Sequence, residues 1–287
     1  MDLLALRAFL EVAEHRSFSR AAERLHRSQP AVSKRIAALE SQLKTPLFDR
    51  VGRTVQPTAA GVALLPYARR VLQELEDGRR ALSQLPDQIA GRLSIGTSHH
   101  IGLHRLPRVL KRYTQRYPDV DLDIHFMDSE VACEAVLAGK LELGIVTLPA
   151  QPLTNLQTRK VWPDPMSVVV SPQHALARQK KVRLADLAAH PAVLPDAATY
   201  THRIIKSELQ KHGLAPRIRL ATNYLETLKM LVTIGLGWSV LPRSMLDRTL
   251  KPLAVSGLRL QRELGAVWHQ RRSLSAAASA LLSELDR

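Results

Sequence analysis

In the run Ser28-Gln29-Pro30-Ala31-Val32-Ser33-Lys34-Arg35, side chains suited to reading a DNA duplex stand near the start of a helical pattern. An amide such as Gln29 can pair bidentately with adenine, and a hydroxyl such as Ser33 can bond to base or phosphate. Lys34 and Arg35 can neutralise phosphates or read guanine. Val32 would face inward, which turns Gln29, Ser33 and Lys34 outward. The plain alternative for this segment is a solvated helix face. A second polar set follows strand-like runs further along: Thr97, Ser98, His99 and His100; Thr147; Thr199, Tyr200 and Thr201; Thr222 and Asn223. Ligands of open α/β sheets sit beyond the carboxyl ends of strands, where helix N-termini offer N–H groups to a carboxylate or another oxyanion. Helix capping alone would also place Ser, Thr and Asn there.

These residues need elements to hold them. Leu3, Leu6, Phe9, Leu10 and Ala13 recur at helical spacing. Ser17 then caps a second helix carrying Phe18, Ala21, Ala22 and Leu25, and Ser28 a third carrying Val32, Ile36, Leu39 and Leu43. Ala22 is small enough for two helices to cross closely, and His26 stands in the turn where many helix-turn-helix units carry glycine. Two short extended runs around Gly52 read as a wing. Thr58 caps a long helix in which Leu65, Leu72 and Arg79, and Ala68, Leu75 and Leu82, form a heptad-like stripe. That stripe predicts a dimer seam, with packing on the helix's own chain as the alternative.

Pro86-Asp87-Gln88 and Gly91 mark a hinge, after which strand-like and helical runs alternate, the pattern of an α/β domain with a largely parallel sheet. Strands are expected at Leu93–Ile95, Leu122–Phe126 and Leu141–Val146. A second unit starts near Val168-Val169-Val170 and continues through Ala192–Leu194, Ile218–Leu220 and Ser239–Leu241. The chain returns to the first unit near Ala266-Val267-Trp268, and Ser275 to Ala280 is read as part of a terminal helix. The expected organisation is a winged helix-turn-helix over 1–58, a linking helix and hinge over 59–90, and a sensing domain over 91–287. Its two lobes would be 91–162 with 267–287, and 163–266.

With 287 residues, 45% hydrophobic and 23% charged, the chain suits two or three folded cores. Its net charge of +15 suits a polyanion or small anionic ligands and does not choose between them. The acidic residues Asp2, Glu11, Glu14 and Glu23 argue against a secretory leader, and no apolar stretch approaches the roughly 20 residues of a membrane span. A cytoplasmic, membrane-free protein is expected. The lone Cys133, set among apolar residues, reads as a core side chain.

His100 and His104, four apart, raise a metal site, but third and fourth ligands are not evident nearby, so none is expected. No phosphate-binding glycine loop, nucleophile elbow or metalloprotease histidine pair appears, which points away from an enzyme. A DNA binder blind to ligands is the other rival; it would have no use for a bilobal domain with polar strand ends.

The first 60 residues strongly resemble the LysR-type transcriptional regulators. The resemblance is carried by Leu6-Arg7-Ala8-Phe9, Ser17-Phe18-Ser19-Arg20-Ala21-Ala22-Glu23-Arg24-Leu25, Ser28-Gln29-Pro30-Ala31-Val32-Ser33, Leu39-Glu40, Leu47-Phe48, Arg50, Arg53 and Pro57-Thr58-Ala59-Ala60-Gly61. It implies an N-terminal all-α winged helix-turn-helix and a bilobal α/β domain similar to periplasmic binding proteins. Gln29, Pro30, Ser33 and Lys34 are implied to meet the major groove, and Arg53 in the wing the minor groove, where narrow A·T-rich stretches attract arginine. Arg35, Arg50 and Thr58 complete the expected DNA contacts. Family members often carry arginine where this chain has Lys34. Further implied are a homotetramer of paired dimers on double-stranded DNA, RNA polymerase as a candidate partner, a small-molecule effector between the lobes and no cofactor.

Overall fold

The computed structural model describes residues 2–51, 54–83 and 89–286. Gly52 and Arg53 at the expected wing tip, and Pro86, Asp87 and Gln88 of the expected hinge, lie outside the described residues. The chain divides into two compact units, Met1–Leu85 and Pro86–Arg287.

In the first unit, α1 (Leu3–His15), α2 (Phe18–Arg24) and α3 (Gln29–Leu43) are followed by β1 (Phe48–Val51), β2 (Thr54–Pro57) and α4 (Ala59–Ser83). Asp2 caps α1 by accepting the Ala5 N–H at 2.6 Å, and Ser17 caps α2 by accepting that of Arg20 at 3.3 Å. Ser28 occupies the same position before α3, but its side chain caps nothing. His26 takes the left-handed conformation at φ +51°, which lets the Arg27 N–H return to the Ala22 carbonyl at 2.9 Å. A glycine would serve there too; the chain accepts a β-carbon in a disfavoured region instead. Phe9, Phe18 and Phe48 meet at the centre of the core, with ring centroids 5.3 and 6.1 Å apart. Glu40 accepts the N–H groups of Leu47 and Phe48 at 2.7 and 3.2 Å, so the carboxylate of the Leu39-Glu40 motif anchors the antiparallel hairpin of β1 and β2.

Thr58 caps α4 by accepting the Gly61 N–H at 3.0 Å while donating to the Pro46 carbonyl at 2.8 Å. A β-carbon on Gly61 would collide with the Leu47 carbonyl oxygen, so glycine is what lets α4 dock on this core. Backbone on both sides leaves no soft escape. We expect Gly61→Ala to destabilise this unit by about 1–3 kcal/mol despite alanine's better helix propensity. All three tryptophans lie in the second unit. The loss should therefore appear in the helical far-ultraviolet dichroism during urea unfolding and be absent from the tryptophan fluorescence transition.

The heptad-like stripe of α4 differs from its sequence reading. Ala68 is buried, and Leu65 and Leu72 pack with it against the core formed by α1 to α3. Among the described residues of α4, the large apolar side chains left exposed are Val62, Tyr67 and Val71. A neighbouring core on the same chain thus claims the first half of the stripe, while the side chains of Arg79 and Leu82 lie outside the described residues.

The second unit opens with β3 (Gly91–Thr97), α5 (His99–His104), α6 (Leu106–Arg116), β4 (Val120–Phe126), α7 (Ser129–Leu137) and β5 (Leu143–Thr147). It continues through β6 (Leu156–Val170), α8 (Leu184–Ala188), β7 (Ala192–Leu194), α9 (Tyr200–Lys211), β8 (Ile218–Ala221), α10 (Leu225–Thr233) and β9 (Ser239–Pro242). Last come β10 (Lys251–Pro252), β11 (Gln261–His269) and α11 (Ala276–Leu285). In the first lobe β3 pairs in parallel with β4 and β5, as expected. The long strands β6 and β11 then pair antiparallel and run through both lobes, and β9 and β10 pair antiparallel with β6. The sheet is thus mixed rather than largely parallel. The sequence Thr158-Arg-Lys-Val-Trp-Pro-Asp-Pro165 hid most of β6, because two prolines and three charges break any apolar pattern. Leu264 and Ala266 lie in the core of the first lobe, so the chain re-enters it inside β11, before Val267.

Candidate effector cavity and DNA-reading face

In the first unit, Val32, Ile36 and Leu39 fix one side of α3 in the core. Gln29, Pro30 and Lys34 are exposed and Ser33 is half-buried beside them. Arg35 departs from the sequence reading: at roughly 100° per residue it lies about 200° around the helix from Ser33, and its guanidinium meets Asp2 at 3.5 Å. Thr58 likewise spends its hydroxyl hydrogen on Pro46. Arg50 lies on β1 opposite Val55, while Arg53 falls outside the described residues. Two residues not singled out from the sequence are Arg20 and Arg24, exposed four apart on α2. That spacing was the available signal.

In the second unit, the segments before α5, α7, α9 and α10 converge on a cavity of about 50 Å³, room for a few waters at roughly 10–15 Å³ each. Seven sequence-predicted residues line it: Ser98, His99, His100, Thr147, Thr199, Thr201 and Asn223. Three do not. Thr97 is buried and donates to the Ile145 carbonyl at 2.8 Å. Thr222 continues the pairing of β7 and β8 through its N–H to the Leu194 carbonyl. Tyr200 lines a separate cavity of about 650 Å³ with Arg203, Lys211 and Arg259, and its hydroxyl hydrogen-bonds Cys133.

Two partners cross the small cavity between lobes: Asn223 Nδ2 donates to Asp128 Oδ2 at 2.6 Å, and the Tyr200 N–H donates to Glu130. His99 packs against Phe126 and Tyr224, with centroids 5.3 and 5.1 Å apart, at the exposed rim.

The residue that sequence reasoning missed is Arg262. It faces Asp164 across the register of β6 and β11, and its Nε donates to Asp164 Oδ2 at 2.7 Å. Arg105 donates to the other oxygen at 3.1 Å. Arg262 also donates to the Thr201 hydroxyl at 3.0 Å, leaving its Nη2 buried at the cavity without a partner. Arg262 is 4% exposed and Asp164 0%. Both ring nitrogens of His100 are likewise buried and unpartnered. Burial, reinforced by the charge on Arg262, pushes the His100 pKa down to about 4, so its imidazole is neutral near pH 7. A buried guanidinium with a spare donor among hydroxyls is equipped to hold an oxyanion. Asp128 and Glu130 on the lining limit how much negative charge fits. Burial pushes the Cys133 thiol up to about 11, leaving it protonated and inert.

A winged helix-turn-helix unit and a bilobal α/β unit with a polar interlobe cavity define a ligand-responsive DNA-binding protein. Residues 3–62 match the family model for the bacterial regulatory helix-turn-helix protein, lysR family, and residues 86–287 match the LysR substrate binding domain. The chain belongs to the LysR family of transcriptional regulators. It is 32% identical over 283 residues to the uncharacterized HTH-type transcriptional regulator YfeR of Shigella flexneri, covering 98% of this chain and 92% of that one. It is 65% identical over 107 residues to an uncharacterized HTH-type regulator from the ibpB-leuC intergenic region of Azotobacter vinelandii, covering 37% and 74%. Full-length CbnR, solved in complex with its target DNA, has the same fold, at TM-score 0.68 and 22% identity over 99% of both chains. These relatives are regulators rather than enzymes. Among the described residues no helix is long and apolar enough to cross a membrane.

Proposed function

We propose that this regulator reads its operator with Gln29 and Ser33, anchors on phosphates through Lys34, Arg20 and Arg24, and responds to a small anion with a single negative charge. The observation that carries the effector class is the spare Nη2 of buried Arg262 at the interlobe cavity. Asp128 and Glu130 on the same lining disfavour a second negative charge, so a monocarboxylate or an amino acid fits better than a dicarboxylate. A thermal-shift screen of the full chain against small monocarboxylates, amino acids, dicarboxylates and sulfur oxyanions tests this. Stabilisation by the singly charged compounds supports it; stabilisation by the dianions alone, or by none of the set, sinks it.

The DNA reading rests on exposure at the start of α3. Gln29→Ala should cost about 1–3 kcal/mol of discrimination between operator and scrambled duplex. Lys34→Ala should weaken both duplexes alike and reduce the salt slope of binding by about one unit. Competition binding across a salt series separates the two, and equal losses on both duplexes for Gln29→Ala would remove it from base readout. Arg53 keeps its proposed minor-groove role by resemblance. Val62, Tyr67 and Val71 on α4 are the apolar side chains available to a second copy, supporting pairing into dimers and then a tetramer on paired half-sites. RNA polymerase contact and a cytoplasmic location belong to the same reading.

A further inference from the structure

His100 and His104 stand one turn apart on α5, in the first lobe, and their ring centroids are 4.7 Å apart. Glu226, from the first turn of α10 in the second lobe, reaches between them. Its Oε1 is 3.1 Å from His104 Nε2 and 3.8 Å from His100 Nδ1. One donor atom from each of the three lies within 4.8 Å of the other two. Tetrahedral ligands at about 2.1 Å from a metal stand about 3.4 Å apart, within reach of small side-chain rotations. His100 is only 3% exposed, and neither of its ring nitrogens is hydrogen-bonded. A buried imidazole without a partner is costly unless something occupies its lone pair.

We propose that His100, His104 and Glu226 bind a divalent transition-metal ion of the zinc type, and that the ion ties α5 to α10 across the two lobes. Two imidazoles and one carboxylate suit zinc, nickel, cobalt or copper, whereas magnesium and calcium prefer oxygen throughout. The charges around His100 permit a cation: the guanidiniums of Arg262 and Arg105 are balanced by the carboxylates of Asp164 and Glu226. His104 and Glu226 are both part-exposed, which gives the ion a way in and leaves a fourth position for water or a ligand oxygen. The sequence showed the histidine pair but not the third ligand, because Glu226 lies 122 residues from His104. The competing account is an ordinary ion pair between His104 and Glu226, with His100 buried beside it.

Cobalt(II) and zinc(II) titrated into chelator-stripped full-length protein discriminate between the two. The proposal expects one cobalt per chain with the intense visible absorption of four-coordinate cobalt, displaced by zinc, and a zinc-dependent rise in Tm. His104→Ala and Glu226→Gln should each lower affinity beyond the roughly 10–100-fold that loss of an outer-shell partner costs, and should abolish the Tm rise. Both side chains are part-exposed, so the variants should keep the metal-free tryptophan transition. His125→Ala, which removes an exposed histidine paired with Asp123 on β4, should bind like the parent. No binding of either ion at micromolar concentrations, or binding that survives His104→Ala or Glu226→Gln, overturns the site, as does binding that is lost with His125.

Discussion

Replacing Arg262 by methionine will destabilise the sensing unit by about 3 kcal/mol and abolish its response to small anions. Asp164 is fully buried and takes its 2.7 Å hydrogen bond from Arg262. Breaking a buried pair from one side costs about 3–5 kcal/mol, because the remaining charge keeps its desolvation without its partner. The lower end applies here, since Arg105 still donates to Asp164 at 3.1 Å. Methionine fills similar volume, so little of the loss comes from packing. The tryptophan fluorescence transition reads the stability and the thermal-shift screen reads the response. The double variant Asp164→Asn, Arg262→Met separates the roles: it should regain most of the stability and none of the anion response. A double variant that still responds to the same anions would free Arg262 from ligand binding and leave it a structural cation on the crossing strands.

Phe9→Ala should have an effect at least as large, confined to the other unit. Phe9 is fully buried between α1 and the hairpin, with its ring 5.3 Å from that of Phe48. Truncating a buried phenylalanine costs about 3–5 kcal/mol through lost transfer energy and the cavity left behind. Against the 5–15 kcal/mol that holds a typical domain, and less in one this small, that leaves little net stability. Operator and non-specific DNA binding should fall together, because the whole face of α3 depends on this core. The helical dichroism transition should shift while the tryptophan transition stays in place. Loss of operator binding with non-specific affinity retained would contradict this account and assign Phe9 a more local role.

Much of the first unit was legible in the sequence because its determinants are local. Caps at Ser17 and Thr58, the inward spacing of Val32, Ile36 and Leu39, and the turn at His26 act within a few residues of one another. Helical periodicity therefore predicted which side chains on α3 face outward, except that Leu43, expected inside, is exposed; Arg35 was chosen for its charge, and the same periodicity turns it off that face toward Asp2. The first half of the stripe on α4 packs on its own chain, the alternative to a dimer seam, since periodicity reports that a face will be buried and not what buries it.

The sensing unit divides along the same line. Strand ends followed by Ser, Thr, His and Asn are a local signal, and seven of the ten residues chosen on it reach the cavity. The others failed where the fold gave the polar group different work, as with Thr97 on the Ile145 carbonyl. Arg262 and Asp164 were invisible because a charged residue in a strand ordinarily faces water. Only the antiparallel register of β6 and β11, which sets these two side by side 98 residues apart, buries them as a pair. The sequence by itself determined the class of protein, the exposed polar face at the start of α3 and the strand ends that supply most of the cavity wall. Tertiary structure alone decided which cation lines the cavity and which carboxylate approaches the histidine pair, because both depend on contacts between segments distant in the chain.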